Sequence, residues 1–488
     1  MKISNLLFGI VCFGIVASCT EESDTSMYYG QYDSYTSGDS YNVTGENPFI
    51  QVDEEPVSTF SIDADGASYA NVRRYIQQSS LLPPLGAVRT EELINYFELD
   101  YAVPEQTHPI ALNGEVSQCP WNESNKLIRI GVKGKKIPKE TLPSTNFVFL
   151  IDVSGSMGSD DKLELLKNGF KYLVDELNSN DRIAIVTYAG AAKVALTSTA
   201  GDKKNEIKHA IDLLGSRGGT AGAKGIITAY EIAQENFIEG GNNRIIMGTD
   251  GDFNVGPSSQ EELVSLIEEK RQLGIFLTVL GVGRGNLNDA SLEQIANNGN
   301  GTYEYIDNLE QLRKVFIYDF SKFFTVAKDV KIQVEFNSLN VKAYRLIGYE
   351  NRVLNEEDFE DDNKDAGEIG ANQNITALYE IIPNENTDII NATTFKIDCR
   401  YKEPASNNSN LIELEIFDEG KTFDQSSDFM KFTSSIASYS MLITNSNYKG
   451  SSNYDDIIKW CNEAELNDEH GFKSEFKSIV EKSSRLRP

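Results

Sequence analysis

Basic residues and cysteine are both scarce in this chain. Lys and Arg number 45 against 74 Asp and Glu in 488 residues, a formal charge of −29. A surface this acidic argues against a nucleic-acid partner, because phosphate binding is driven by basic patches. It suits a protein kept soluble by self-repulsion and able to take up cations. Cys12 and Cys19 fall in the first twenty residues, so the body holds only Cys119, Cys399 and Cys461. At most one disulfide can form, and no CxxC or Cys/His zinc spacing occurs. His108, His209 and His470 are scattered and none accompanies a Ser or Cys motif, which leaves nucleophilic catalysis without its parts. Trp121 and Trp460 read as packing residues. No Gly-x4-Gly-Lys-Ser/Thr loop exists, and Gly281-Val282-Gly283-Arg284-Gly285 has Asn286 where a dinucleotide fingerprint needs its third glycine. Nucleotide is therefore not an expected ligand. No internal repeat is present.

Long apolar runs are equally rare. Residues 6–17 form one of signal-peptide length, too short to span a bilayer comfortably. Val16-Ala17-Ser18-Cys19 resembles a bacterial lipobox, which implies a signal peptide over 1–18 and lipidation of Cys19. Several acyl chains there would give the multiple signals that stable attachment requires. The acidic Thr20-Glu21-Glu22-Ser23-Asp24 resembles sorting signals of surface lipoproteins in some Gram-negative bacteria. Residues 19–46, rich in Ser, Tyr, Gly and Asp, read as a flexible tether, with order expected from Asn47.

An N-terminal region over 47–140 carries a strand at 59–62, helices at 69–78 and 89–97, and strands at 110–117 and 127–132. From 146 to 325 strands (147–152, 182–188, 194–197, 244–249, 275–281, 302–306) alternate with helices (162–177, 203–214, 221–237, 260–272, 287–297, 309–324). That alternation predicts an α/β fold, a doubly wound and mostly parallel sheet covered on both faces. Over 328–488 period-two runs at 330–336, 343–347, 377–381, 395–398 and 411–416 read as antiparallel strands, followed by helices at 428–442, 454–464 and 472–483. Pairing of the two flanking strand sets would make the α/β module an insertion in a β-sandwich.

The chemistry concentrates in the module. Phe147-Val148-Phe149-Leu150-Ile151 is apolar throughout, as in a strand buried on both faces, and ends in Asp152-Val153-Ser154-Gly155-Ser156. One carboxylate and two hydroxyls at a strand–loop–helix junction make an all-oxygen half-site for a hard divalent cation. Arg217-Gly218-Gly219-Thr220 offers another hydroxyl before a helix, and Thr249-Asp250-Gly251 ends a second buried strand with a second carboxylate. The first cluster alone could be a helix cap; the five groups together favour a metal. Asp63, Asp65 and Ser68 read as a cap for the next helix rather than a Ca²⁺ site. The acidic run 356–365 contains an EF-hand-like Asp361-x-Asn363-x-Asp365 but lacks the turn Gly and closing Glu, and reads as a solvated loop.

Asp152, Ser154, Ser156, Thr220 and Asp250 resemble the metal-ion-dependent adhesion site of the von Willebrand factor type A family, over about 146–325. The resemblance implies direct metal coordination by Ser154 and Ser156. Thr220 would bind directly or through water, and Asp152 and Asp250 largely through water. The metal would be Mg²⁺, with Mn²⁺ or Ca²⁺ as alternatives, and its open position would accept a Glu or Asp carboxylate from a protein partner. The stretches Ser58-Thr59-Phe60-Ser61-Ile62-Asp63, Arg89-Thr90-Glu91-Glu92 and Tyr344-Arg345-Leu346-Ile347-Gly348-Tyr349 resemble the flanking regions of a group of bacterial type A lipoproteins. The expected function is adhesive binding at the cell envelope. A structural or assembly factor with a stabilising metal is the alternative, and a metal-dependent hydrolase ranks last because no general base is evident.

Overall fold

The sheet of the α/β module runs Tyr303–Ile306, Ile275–Val282, Asn242–Thr249, Thr145–Asp152, Arg182–Tyr188, Ala192–Ala200. The first five strands pair in parallel and Ala192–Ala200 closes the edge antiparallel. The computed structural model describes residues 38–486 apart from 106, 220–221, 252–259 and 385–392. Thr145–Asp152 is buried along its whole length. Phe147, Phe149 and Ile151 pack to one side, where Phe149 stacks on Phe170 of helix Leu163–Glu176 with ring centroids 4.2 Å apart. Val148 and Leu150 pack to the other, with Ile226 and Ala229 of helix Gly222–Glu235. Two covered faces explain the unbroken apolar run, each buried side chain contributing about 1.5–3 kcal/mol.

The flanking strands form a two-sheet sandwich. One sheet runs Ile50–Gln51, Val341–Ile347, Asn374–Pro383, Lys126–Gly134, Ile110–Gln118; the other runs Val353–Leu354, Val57–Ser61, Thr325–Phe336, Thr393–Lys402, Ser409–Phe417, with Gly367–Gly370 also on Thr325–Phe336. Strands before the module pair with strands after it, Ile130 opposite Ala377 and Phe60 opposite Ile332. The α/β module is thus inserted in the sandwich. Helices Asp428–Ile443 and Phe472–Ser483 share a second core with Tyr69, Tyr96 and Phe97, the Phe97 ring lying 5.1 Å from Phe432 and 5.7 Å from Phe476. Cys119, Cys399 and Cys461 are free thiols. Among the described residues no helix is long and apolar enough to cross a membrane.

Three sequence expectations are corrected. The helix expected over 309–324 is α-helical only at Leu309–Arg313; Lys314–Tyr318 is a π turn and Phe320–Phe323 a 3₁₀ turn. The π turn is closed by Asp319 N donating to Lys314 O (2.8 Å), and the Asp319 carboxylate pairs with both Lys314 and Lys322. Order does not wait for Asn47: Ser40 N donates to Leu287 O (2.7 Å), and the Asp39 side chain is buried. Asp63, Asp65 and Ser68 do not cap helix Ala67–Arg74, whose N-cap is Gly66. Glu92 does so instead, its Oε2 accepting from Ser68 N at 2.8 Å.

Asp63 and Asp65 belong to a buried ionic cluster. Carboxylate oxygens of Asp63, Glu92 and Glu293 all lie within 4.8 Å of one another. Arg352 donates to Asp63 at 2.9 Å, Arg89 pairs with Glu92, and Arg89 reaches Asp289 at 2.6 Å. Burial pushes the Glu92 carboxyl up to about 8 against an ordinary 4.5, and burial likewise raises Asp65 and Glu293. A carboxyl raised in this way stabilises the fold while protonated; that contribution is complete below 4.5 and is lost as pH rises through about 8. The melting temperature of the protein is therefore expected to fall from about pH 5 to about pH 9, and Glu92→Gln to flatten that slope, as read by thermal melts across the range.

Candidate metal-binding site

Parallel register sets the two carboxylates side by side. Thr145–Asp152 and Asn242–Thr249 are neighbours, with Ile151 opposite Gly248, so Asp152 and Asp250 emerge at adjacent carboxyl ends. The sheet order reverses at the first of these strands: the chain goes next to Arg182–Tyr188 on one side and later to Asn242–Thr249 on the other. Such a switch point is where open α/β sheets bind ligands.

Asp152 is fully buried and hydrogen-bonded at both oxygens, Oδ1 accepting from Ser154 N (2.8 Å) and Oδ2 from Thr249 Oγ1 (3.2 Å). Burial raises its pKa, opposed by the Ser154 and Thr249 bonds and reinforced by the Asp250 charge. The Ser154 and Ser156 hydroxyls lie 3.0 Å apart across the 3₁₀ turn Gly155–Gly158. Asp250 Oδ2 accepts from Lys162 Nζ and from Asn286 Nδ2, each at 3.0 Å. Burial works against its ionisation, yet hydrogen bonds from Asn286, Lys162 and Ser156 hold the carboxyl below its ordinary range. The third loop reaches the same place: Arg217 N donates to Val153 O (2.7 Å) and Gly155 N to Gly218 O (3.0 Å), with Gly218 at φ +85°. Thr220 and Cys19 lie outside the described residues.

Four of the five expected metal-site residues thus converge, and the segment just before the fifth abuts them. The donors are all oxygens, which suits a hard divalent cation better than zinc or copper. Both carboxylates are already committed to donors and the two hydroxyls sit as a pair between them. That fits direct ligation by Ser154 and Ser156 with carboxylates acting at one remove.

Sequence reasoning missed Lys162, Asn286 and Thr249. Thr249 was legible as the hydroxyl beside Asp250. A lysine opening a helix reads as solvated, so Lys162 gave no signal. Gly283, within the 281–285 stretch, did give one. Gly283 has φ +80°, and a Cβ there would come 2.2 Å from Lys162 Cε.

Residues 146–316 match the von Willebrand factor type A domain model, 35–129 a model described as von Willebrand factor, and 321–486 the C-terminal region of the uncharacterized protein YfbK. YfbK of Escherichia coli K12 is 40% identical over 465 residues, spanning 90% of this chain and 80% of that one. The chain belongs to the YfbK family. Two solved structures illustrate similarity over part of this chain. BatB from Bacteroides thetaiotaomicron (25% identity, TM-score 0.32) covers 37% of this chain and 98% of its own. A von Willebrand factor type A protein from Catenulispora acidiphila (16% identity, TM-score 0.42) covers 75% of this chain and 89% of its own. In this YfbK-family chain the type A site is framed by Lys162 and the 281–286 loop. Gly283→Ala is expected to displace Lys162 and to cost about 1–2 kcal/mol in denaturant unfolding, because φ is positive and the space is taken.

Proposed function

We propose that this YfbK-family chain is an envelope-anchored binding protein. Its Asp152, Ser154, Ser156, Thr220 and Asp250 hold a divalent cation, Mg²⁺ or else Mn²⁺ or Ca²⁺, whose remaining position takes a Glu or Asp carboxylate of a protein partner. The observation that carries the reading is the Ser154–Ser156 hydroxyl pair, 3.0 Å apart between two carboxylates already bound by other donors. Neutral hydroxyl ligands leave an ion electron-poor, so an outside anion completes it favourably.

Enzymatic turnover is not part of the proposal. Asp152 is held by Ser154 and Thr249 and Asp250 by Lys162 and Asn286, so neither is poised as a general base. Lipidation at Cys19 would keep the protein at the membrane, on the periplasmic or the surface face. Nothing basic or glycine-cradled argues for nucleic acid or nucleotide.

Asp152→Ala is expected to abolish divalent-dependent capture of partners from envelope extracts while the thermal unfolding stays cooperative. Partner capture that persists unchanged in EDTA would overturn the proposal. Cys19→Ala is expected to move the protein from the membrane to the soluble fraction on fractionation.

A further inference from the structure

Lys162 carries the one buried cation hydrogen-bonded into the described part of the site. Its side chain is only 8% exposed, and its methylenes run across Gly283, where a Cβ would meet Cε, Cγ and Cδ within 3 Å. Its ammonium donates to Asp250 Oδ2 at 3.0 Å and to Asn286 Oδ1 at 2.9 Å. Asn286 Nδ2 donates back to the same Asp250 oxygen at 3.0 Å, which closes a triangle. The loop behind it is pinned from the far side. Asp39 Oδ1 accepts from Gly285 N (2.7 Å) and Leu287 N (3.1 Å), while Asp39 Oδ2 pairs with Arg74 at 3.0 Å. A lysine fixed in this way does not swing out like a surface side chain.

We infer that Lys162 is a tethered counter-cation that sets the metal affinity of the site and the charge of its loaded form. The inference rests on the divalent reading proposed above. With Asp152 and Asp250 ionised, Lys162 leaves the empty site at −1 where it would otherwise be −2. The divalent ion is therefore bound more weakly than the two carboxylates alone would bind it. Once loaded, the site stands at +1 rather than 0, which favours the arrival of an anionic ligand. Lys162 thus trades metal affinity for carboxylate affinity. In the absence of the ion it also spares Asp250 the cost of an unpaired buried charge.

The test uses the full chain with Mn²⁺ as the probe, free Mn²⁺ being counted by electron paramagnetic resonance, and thermal melts run in EDTA and in Mn²⁺. Lys162→Met is expected to bind Mn²⁺ at least about tenfold tighter, since one charge has been removed nearby. It should melt lower than wild type in EDTA and gain more on adding Mn²⁺. Lys162→Gln keeps a donor for Asp250 without the charge and should tighten Mn²⁺ in the same direction. Lys162→Arg should keep the wild-type affinity. If wild type binds Mn²⁺ and both neutral variants bind it equally or more weakly, Lys162 only braces the loop and the inference is wrong. If none of the folded proteins binds Mn²⁺, the metal reading itself falls and takes this inference with it.

Discussion

Two carboxylates buried at neighbouring strand ends are the constraint from which the functional end of the molecule follows. Asp152 and Asp250 have almost no contact with water, and a buried charge is tolerated only when paired or hydrogen-bonded. Each answer to that demand is a recognisable piece of structure. Ser154 N and the Thr249 hydroxyl serve Asp152; Lys162 and Asn286 serve Asp250. Gly283 makes room for the lysine, and Asp39 holds that loop from behind. In a stretch that looks like a nucleotide motif, the middle glycine is thus explained by the packing of one side chain.

The same pressure recurs where the module meets its flanks. Arg73, almost wholly buried on helix Ala67–Arg74, pairs with Asp307 at the start of the module's last helical segment, donates to Tyr96 and Gln311, and reaches Glu475 of the final helix at 3.0 Å. Arg352, beside the sandwich, pairs with Asp63 and donates to Asn297 of the module at 3.0 Å, and Arg89 ties Glu92 to Asp289. In a chain with so many acids and so few bases, Arg73, Arg89 and Arg352 are spent at seams. These bonds join the helical N-terminal region, the α/β module and the C-terminal helices into one body.

Where the sequence was legible, the signal was a repeated local one. Five consecutive apolar residues from Phe147 to Ile151, bounded by Ser and Gly, read as a strand covered twice, and Asp152-x-Ser154-x-Ser156 needs no distant partner to be noticed. Strand-like runs on both sides of the module were enough to expect the two sets to pair, as Lys126–Gly134 and Asn374–Pro383 do. What escaped depended on groups far apart. Glu92 caps a helix that Asp63 and Asp65 seemed placed to cap, because the cap comes from another helix. Asp39 lies in a stretch of tether-like composition, yet one buried carboxylate accepting two backbone N–H groups orders it. The π turn at Lys314–Tyr318 was invisible because Leu312, Phe316, Phe320 and Phe323 keep helical spacing while an extra residue enters the turn.

That π turn lies on the path by which the chain leaves the α/β module and enters the sandwich. Leu309–Phe323 packs on helix Leu163–Glu176, with Leu312 over Gly169 and the Phe316 ring 5.9 Å from Phe170. It then runs directly into Thr325–Phe336, a strand bonded on both sides in the sandwich sheet. Within this segment Asp319 is shared between Lys314 and Lys322, and those charges hold its carboxyl down at about 2 despite its burial. Parting a largely buried pair costs about 3 kcal/mol or more unless each charge finds a new partner. Both pairs lie within the segment, so the triad fixes the segment's own shape, π turn included, rather than its place on the neighbouring helix. The module and the sandwich are therefore joined by a connector of defined shape, packed on Leu163–Glu176 at one end and continuous with a central sandwich strand at the other.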